Sequence, residues 1–345
     1  MNQDNSSIVF MDKGISTTSN GLLNNSNGLG IAKKLLRDFL PPILLTLGTI
    51  GNALSLAVLC RKKFRKNTTS VYLITLAVVD ILAIWLAVLP HWQQKKYVDL
   101  RKTVFGCTWM MFLRLSMTQL SAWILVLVTF ERLVAVFSPL KVKIIFNVKR
   151  AVIILAIVIA VVLGLNIHIL WNFELRGKKH TCRPISYKYY LMHAWLDGIA
   201  AAYIPSFLML SANIAIIAKM HMRKKSGSGN SNKIASMTIV LLLCNFSFIF
   251  LTFPFVLFHA FHKQWYKKGN ASEKDPAQKI HRDIVHLLAY SNQGINFLLY
   301  CASGQAFREE IKKMFYDWKR AICGRDNRVR NSLAMNTNIV NTSTH

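Results

Sequence analysis

The amino-acid sequence predicts an all-α membrane protein: a seven-transmembrane helix bundle with a short amphipathic helix after the seventh. The first observation is compositional. The chain is 53% hydrophobic, and a soluble protein would spread that fraction in amphipathic stripes, whereas here it is collected into long runs. The second is the length of those runs. They lie at about 38–60, 70–93, 104–130, 150–172, 194–218, 235–261 and 284–302, each close to the roughly twenty residues that cross a hydrocarbon core as a helix. None shows the period-two alternation of a membrane barrel strand. The chain divides accordingly into an extracellular tail (1–37), a seven-helix domain (38–303) and an amphipathic helix with a disordered cytoplasmic tail (304–345).

The tail is polar and rich in Asn and Ser, without a basic segment leading into an apolar one, so no cleavable signal peptide is predicted and the first helix acts as its own signal. Basic residues lie on both sides of the membrane. A slight excess on the side of the 61–69 loop, RKKFRKNTT, sharpened by the placement of the acidic residues, assigns that loop to the cytoplasm and the N-terminus to the outside. Asn5, Asn24 and Asn270 are then extracellular sequons and candidates for glycosylation, while Asn67 and Asn341 would be silent.

In the first helix Asn52 is buried in apolar surroundings, and in the second Asp80 is the more costly group, because a carboxylate in mid-membrane demands a partner. The outer end of the second helix is expected to kink at Pro90. The third run is the centre of the pattern. It carries Arg114, Ser121 and Arg132, and the 18 positions between the arginines are five whole turns, so both share one face roughly 27 Å apart. Measured from the cytoplasmic ends, Asn52, Asp80, Ser121 and Asn296 all fall at roughly 12–16 Å depth. Oxygen ligands converging on a carboxylate suit a small hard cation, or a cluster of water.

The remaining elements follow in turn. The fourth run is uncharged as far as Glu174, and FELRGKKHTCRPISYKYY reads as a hairpin about a glycine-containing turn. Of the cysteines, Cys60, Cys244 and Cys301 sit in or at the ends of helices and read as free thiols. Cys107 and Cys182 are the two placed on the oxidising outer side and are paired on that ground. The fifth helix holds Asp197 near its outer end and Pro205 in its middle. In the sixth, Pro254 breaks the hydrogen-bond ladder, giving either a pivot or a static bend. After Gly304, Phe307, Ile311, Met314, Phe315 and Trp318 recur at three or four with Arg308, Lys312 and Lys313 between them, the pattern of a cationic helix lying on the inner leaflet. Cys323 beyond it is a candidate for palmitoylation.

With these landmarks in register, the chain resembles the rhodopsin-like (class A) G-protein-coupled receptors over essentially all seven helices. The resemblance rests on Gly51-Asn52, LAVVD ending at Asp80, Cys107 with Glu131-Arg132-Leu133 downstream, Pro205, the FPF around Pro254, and Asn296-Phe297-Leu298-Leu299-Tyr300. It departs from the family pattern at Leu133, at Phe297 in place of proline, at Thr252 in place of the aromatic switch, at Val158 in place of tryptophan, and at Asn213 in place of tyrosine. The INFLLYC ending with FRxxIKKMF is similar to a neuropeptide branch typified by FMRFamide-type receptors and related orphans. The resemblance implies that Glu131 and Arg132 form an ion pair restraining the inactive state. It also implies that Asp80, Ser121, Asn292 and Asn296 form a sodium–water cluster, and that Tyr300 swings inward on activation.

Arg114 stands where amine receptors of this family have an aspartate, which argues against a monoamine. It suits a carboxylate by bidentate bonding, or an internal pair with Asp197. The seventh helix has no lysine for a Schiff base within its apolar run. Phe255 and His259, and His286 and Tyr290, are each four apart on one face and are further candidate ligand contacts. No catalytic constellation, phosphate loop or metal-spaced His/Cys set is present, so no enzyme is expected, and no cofactor beyond a structural Na⁺ near Asp80. The expected function is a plasma-membrane receptor for a neuropeptide that drives a heterotrimeric G protein. The alternatives are a receptor for a small carboxylate or lipid acid and, in another class, a transporter or channel. No nucleic-acid partner is expected; the partners are the extracellular peptide or small anionic ligand, the G protein and the lipid bilayer.

Overall fold

The structure, a computed structural model, describes residues 28, 30–64, 67–93, 102–177, 181–225, 232–267, 276–303, 305 and 307–320. Asn5, Asn24, Asn270 and Cys323 lie outside these residues. Six helices among them are long and apolar enough to cross a membrane. They fall in α1 (Gly30–Leu59), α2 (Thr68–Gln93), α3 (Val104–Phe137), α4 (Val148–Asn166), the helical stretch α5, and α6 (Asn232–Lys267). Stretch α5 runs through Tyr187–Gly198, a π turn at Ile199–Tyr203, and Ile204–Lys225. The seventh, α7 (Pro276–Ser303), is as long but more polar, with Asp283, Asn292, Gln293 and Asn296 all buried against the bundle. The amphipathic segment forms α8 (307–320).

Lipid accounts for the outside of the bundle. On α4, Val152, Ile153, Ile157, Val161 and Leu165 are exposed, as are Phe207 on α5 and Phe250 on α6. An apolar surface that extensive belongs in hydrocarbon. The helices begin where side chains can replace the missing partners of the first turn. Thr103 Oγ1 accepts from the Gly106 N–H at 2.9 Å, Asn147 Oδ1 from Arg150 at 2.8 Å, and Ser186 Oγ from Tyr189 at 3.1 Å. Three helices start seven or eight residues earlier than the apolar runs predicted: α1 at Gly30 instead of 38, α5 at Tyr187 instead of 194, and α7 at Pro276 instead of 284. Polar first turns outside the hydrocarbon region continue a helix without lengthening the apolar run, so hydropathy alone misses them.

The predicted hairpin is present as β1 (Phe173–Arg176) and β2 (Thr181–Pro184), antiparallel, with Leu175 opposite Cys182. Gly177 leaves β1 at φ 72°, the left-handed region that favours glycine. Cys182 is bonded to Cys107 on the outer end of α3, with the Cα atoms 5.4 Å apart. The hairpin is thereby fixed to the bundle, and Phe173 packs edge-on to Tyr189 and His193 of α5. The other described cysteines are free; of the three, Cys244 is buried, Cys301 half-buried and Cys60 exposed.

Pro205, which matches the family pattern, and Phe297, which departs from it, each shape their helix locally. Pro205 lacks an N–H, and its ring crowds the preceding carbonyls. The π turn just before it widens the helix there, and the Ala200 carbonyl accepts instead from Trp123 Nε1 on α3 at 3.0 Å. Phe297, unlike proline, keeps its backbone donor, and α7 runs unbroken through it. Its side chain lies over Gly51 of α1, where an added Cβ would come to 3.0 Å of the Phe297 Cβ, and its ring meets Phe307 of α8 edge-on at 6.1 Å. One turn outward, Gly48 and Gly294 bring the two backbones together.

A Cβ at Gly48 would meet Ile84 Cδ1 at 2.5 Å and the Gly294 Cα at 3.5 Å, whereas one at Gly164 would meet nothing within 4 Å. Gly48→Leu is therefore expected to cost about 1–3 kcal/mol by overpacking and Gly164→Leu close to nothing. Thermal melting of the detergent-solubilised variants separates the two, and equal melting temperatures would contradict close packing of α1 on α7.

Candidate functional site

Beneath the hairpin, α3, α5, α6 and α7 diverge around a cavity of about 320 Å³, within the usual range for small-molecule sites. Five of the six residues expected to contact a ligand line it: Arg114, Asp197, Phe255, His259 and His286. Phe255, His259 and His286 form one aromatic wall, with ring centroids 4.4–5.3 Å apart. Tyr290 does not reach the cavity wall. It sits one turn below, its hydroxyl 3.3 Å from His286 Nδ1, and packs against the Leu45, Ile84 and Val88 cluster.

Arg114 and Asp197 both face this space, yet the internal pair between them is not formed. The Arg114 guanidinium contacts Met111 Sδ at 3.6 Å. Asp197 Oδ1 accepts from Gln119 Nε2 at 2.9 Å, and Gln119 Oε1 in turn accepts from Asn166 Nδ2 at 2.7 Å. Gln119 and Asn166 are fully buried. Neither they nor His193, which also lines the cavity, were singled out from the sequence. The available signal was an amide within an apolar run, which in a membrane helix must find an interhelical partner.

In mid-membrane Asp80 is completely buried. Ser121 Oγ donates to its Oδ1 at 2.6 Å and Asn296 Nδ2 to its Oδ2 at 2.8 Å, so α2, α3 and α7 meet on one carboxylate. Asn292, one turn from Asn296, is also buried, and its Oδ1 has no hydrogen-bond partner. Asn52 stands apart from this group. Its Nδ2 donates to the backbone carbonyls of Gly48 and Gln293, both at 2.9 Å, which ties α1 to α7 rather than completing the carboxylate's shell.

At the cytoplasmic end the expected ion pair of Glu131 with Arg132 is replaced by a bridge. Thr69 of α2 donates to Glu131 Oε1 at 2.9 Å and accepts from Arg132 Nη2. One turn further in, Asn245 of α6 donates both amide protons, to Thr129 Oγ1 of α3 at 2.8 Å and to Asn213 Oδ1 of α5 at 2.9 Å. All three residues are buried, so Asn213 enters a polar contact that its position as a replaced tyrosine did not suggest. Tyr300, buried near the end of α7, packs on Phe307 with centroids 5.6 Å apart. Pro254 lies within a continuous α6. Arg61, in the turn after α1, holds Glu310 at 2.6 Å and Asp317 at 2.7 Å on α8. The hydrogen bond to Asp317, more than any other contact, raises the Arg61 pKa above its usual value.

Residues 51–300 match the family model described as 7 transmembrane receptor (rhodopsin family). Among similar proteins, human cysteinyl leukotriene receptor 2 is 23% identical over 309 residues, covering 85% of this chain and 86% of that protein. Human C-C chemokine receptor type 1 is 25% identical over 303 residues, covering 81% and 80%. Human histamine H2 receptor is 26% identical over 288 residues, covering 79% and 77%.

Asn245→Leu keeps the side-chain bulk but strands Thr129 Oγ1 and Asn213 Oδ1, and is expected to lower stability by about 1–3 kcal/mol. Asn213→Leu on the Asn245→Leu background should cost less than it does alone. A double-mutant cycle in thermal unfolding measures this coupling, and strict additivity would show that the two side chains do not interact.

Proposed function

The chain belongs to the rhodopsin family of seven-transmembrane receptors, and from that membership we propose that it is a plasma-membrane receptor for a neuropeptide, with its N-terminus outside. As a member of this family it is a G-protein-coupled receptor and not an enzyme. The transporter alternative is left without support. The relatives are named for a leukotriene, a chemokine and histamine, three unlike chemistries, so the ligand has to be argued from the cavity.

The observation that carries the reading is Arg114. Its guanidinium faces the cavity without a carboxylate partner among the described residues, and a planar donor fork in a partly desolvated site favours a carboxylate or a comparable acceptor. About 320 Å³ holds a side chain or two and not a folded domain. A peptide would insert one end and lay the rest over the disulfide-anchored hairpin. A small carboxylate or lipid acid satisfies Arg114 equally, and is the second reading.

Ligand binding would be answered at the inner end. The Thr69 bridge holds Glu131 and Arg132, and Asn245 holds α6 to α3 and α5. An agonist need only favour the arrangement in which these contacts are released by more than it favours the closed one. Arg132 would then be free to meet the G protein, with Pro205 and Pro254 as the points where α5 and α6 bend and Tyr300 moving inward. At Asp80 the oxygens of Asp80, Ser121 and Asn292 form a donor set suited to a small hard cation, and the unpartnered Asn292 Oδ1 fits such an ion. When bound, Na⁺ would neutralise the buried carboxylate and favour the closed arrangement. Glycosylation at Asn5, Asn24 and Asn270 and lipidation at Cys323 complete the proposal.

Arg114→Ala is expected to abolish the agonist response in calcium or cAMP assays while surface labelling stays at the wild-type level; retained potency would remove Arg114 from the ligand site. Asp80→Asn is expected to eliminate the dependence of agonist affinity on sodium, measured by radioligand competition in sodium and in choline buffers. Persistence of that dependence in the variant would place the ion elsewhere.

A further inference from the structure

The cavity holds two opposite charges that do not neutralise each other. Arg114 on α3 and Asp197 on α5 both line it, and neither forms an ion pair among the described residues. That is an unusual state for two formal charges in a membrane protein, where desolvated opposite charges ordinarily seek each other. Asp197 is kept from Arg114 by a built support. Gln119 donates to its Oδ1 at 2.9 Å, and Gln119 is itself held by Asn166 of α4 at 2.7 Å, both amides being fully buried. The carboxylate is thus held by one oxygen, which leaves its second oxygen to accept.

The spacing follows from helix geometry. Gln119, level with Asp197, lies five positions beyond Arg114 on α3, which is roughly 7.5 Å of rise. The arginine is therefore set more than a turn nearer the outside than the aspartate. The same cavity has an aromatic wall: Phe255, His259 and His286. His193, one turn from Asp197 on α5, is within electrostatic reach of both charged groups.

We propose that this cavity selects a bipolar ligand, whose cationic group docks on Asp197 and whose anionic group docks on Arg114, with an apolar or aromatic spacer between them. The inference rests on reading the cavity as the ligand site. It adds a cation requirement that Arg114 alone does not suggest, and places the cation on α5, one helix away from the α3 position at which it was discounted. For a peptide, it specifies an end bearing both charges, such as a C-terminal carboxylate beside a lysine or arginine side chain.

The test uses the full-length receptor, purified in nanodiscs, and three probes of one shape: 4-(aminomethyl)phenylacetate, which carries both charges, 4-ethylphenylacetate and 4-ethylbenzylamine. The concentration of each that half-maximally raises the melting temperature is measured. The bipolar probe is expected to act at a concentration at least tenfold lower than either single-charge probe. In Asp197→Asn its advantage over 4-ethylphenylacetate should vanish, and in Arg114→Gln its advantage over 4-ethylbenzylamine should vanish, each variant melting at its own unliganded temperature as a check on folding. Equal potency of a single-charge probe on the wild type would overturn the proposal, as would the absence of a shift from all three at 10 mM. Binding read in this way needs no G protein. A bipolar probe that binds while reconstituted G proteins show no nucleotide exchange with any ligand would strike the receptor reading alone. Signalling to a single-charge ligand through the same cavity would strike this proposal alone.

Discussion

The bundle depends on the fact that hydrocarbon cannot hydrogen-bond. A polar side chain carried at depth is costly without a partner, and where α2, α3 and α7 find one on a neighbouring helix, the pairing fixes one helix against another. Asp80 is the most demanding case, a carboxylate with no exposed surface that takes one donor from α3 and one from α7. Its two oxygens set the relative height of three helices. Asn52 does the same for α1, by reaching a backbone carbonyl of α7 where glycines bring the two helices close.

Helix α3 is the common member of nearly all these pairings. From outside to inside it presents the disulfide at Cys107, Arg114, Gln119, Ser121, Thr129 and Glu131-Arg132, and each but Arg114 is joined to another element. Arg114 is the exception because its face opens on the cavity. A helix tied along its length can transmit a change at one end to the other only by shifting its neighbours. At the inner end, the Asn245 contacts to Thr129 and Asn213 are what hold α6 to α3 and α5.

Two of the departures from the family pattern, Phe297 and Asn213, are each matched by a neighbour. Phe297, standing where proline is usual, is matched by the open surface of Gly51 and by Phe307 of α8. Asn213, standing where tyrosine is usual, is matched by Asn245. Thr69 separates Glu131 from Arg132, giving each a hydrogen bond in place of direct contact. Changes of this kind preserve the fold because packing and polar satisfaction are properties of neighbourhoods and not of single positions.

The amino-acid sequence by itself determined the seven spans, the hairpin, the disulfide and the depth of Asp80, Ser121 and Asn296, because hydropathy, helical rise and compartment act along the chain and need no knowledge of neighbours. It also placed five of its six candidate ligand contacts on the cavity, through their height on the outer halves of α3, α5, α6 and α7. Only the tertiary structure decided who meets whom at a given height. Several residues can reach the same level, and rotation of each helix about its axis chooses among them. For that reason Asp197 met Gln119 and not Arg114, Glu131 and Arg132 met Thr69 and not each other, and Asn52 met α7 backbone and not Asp80.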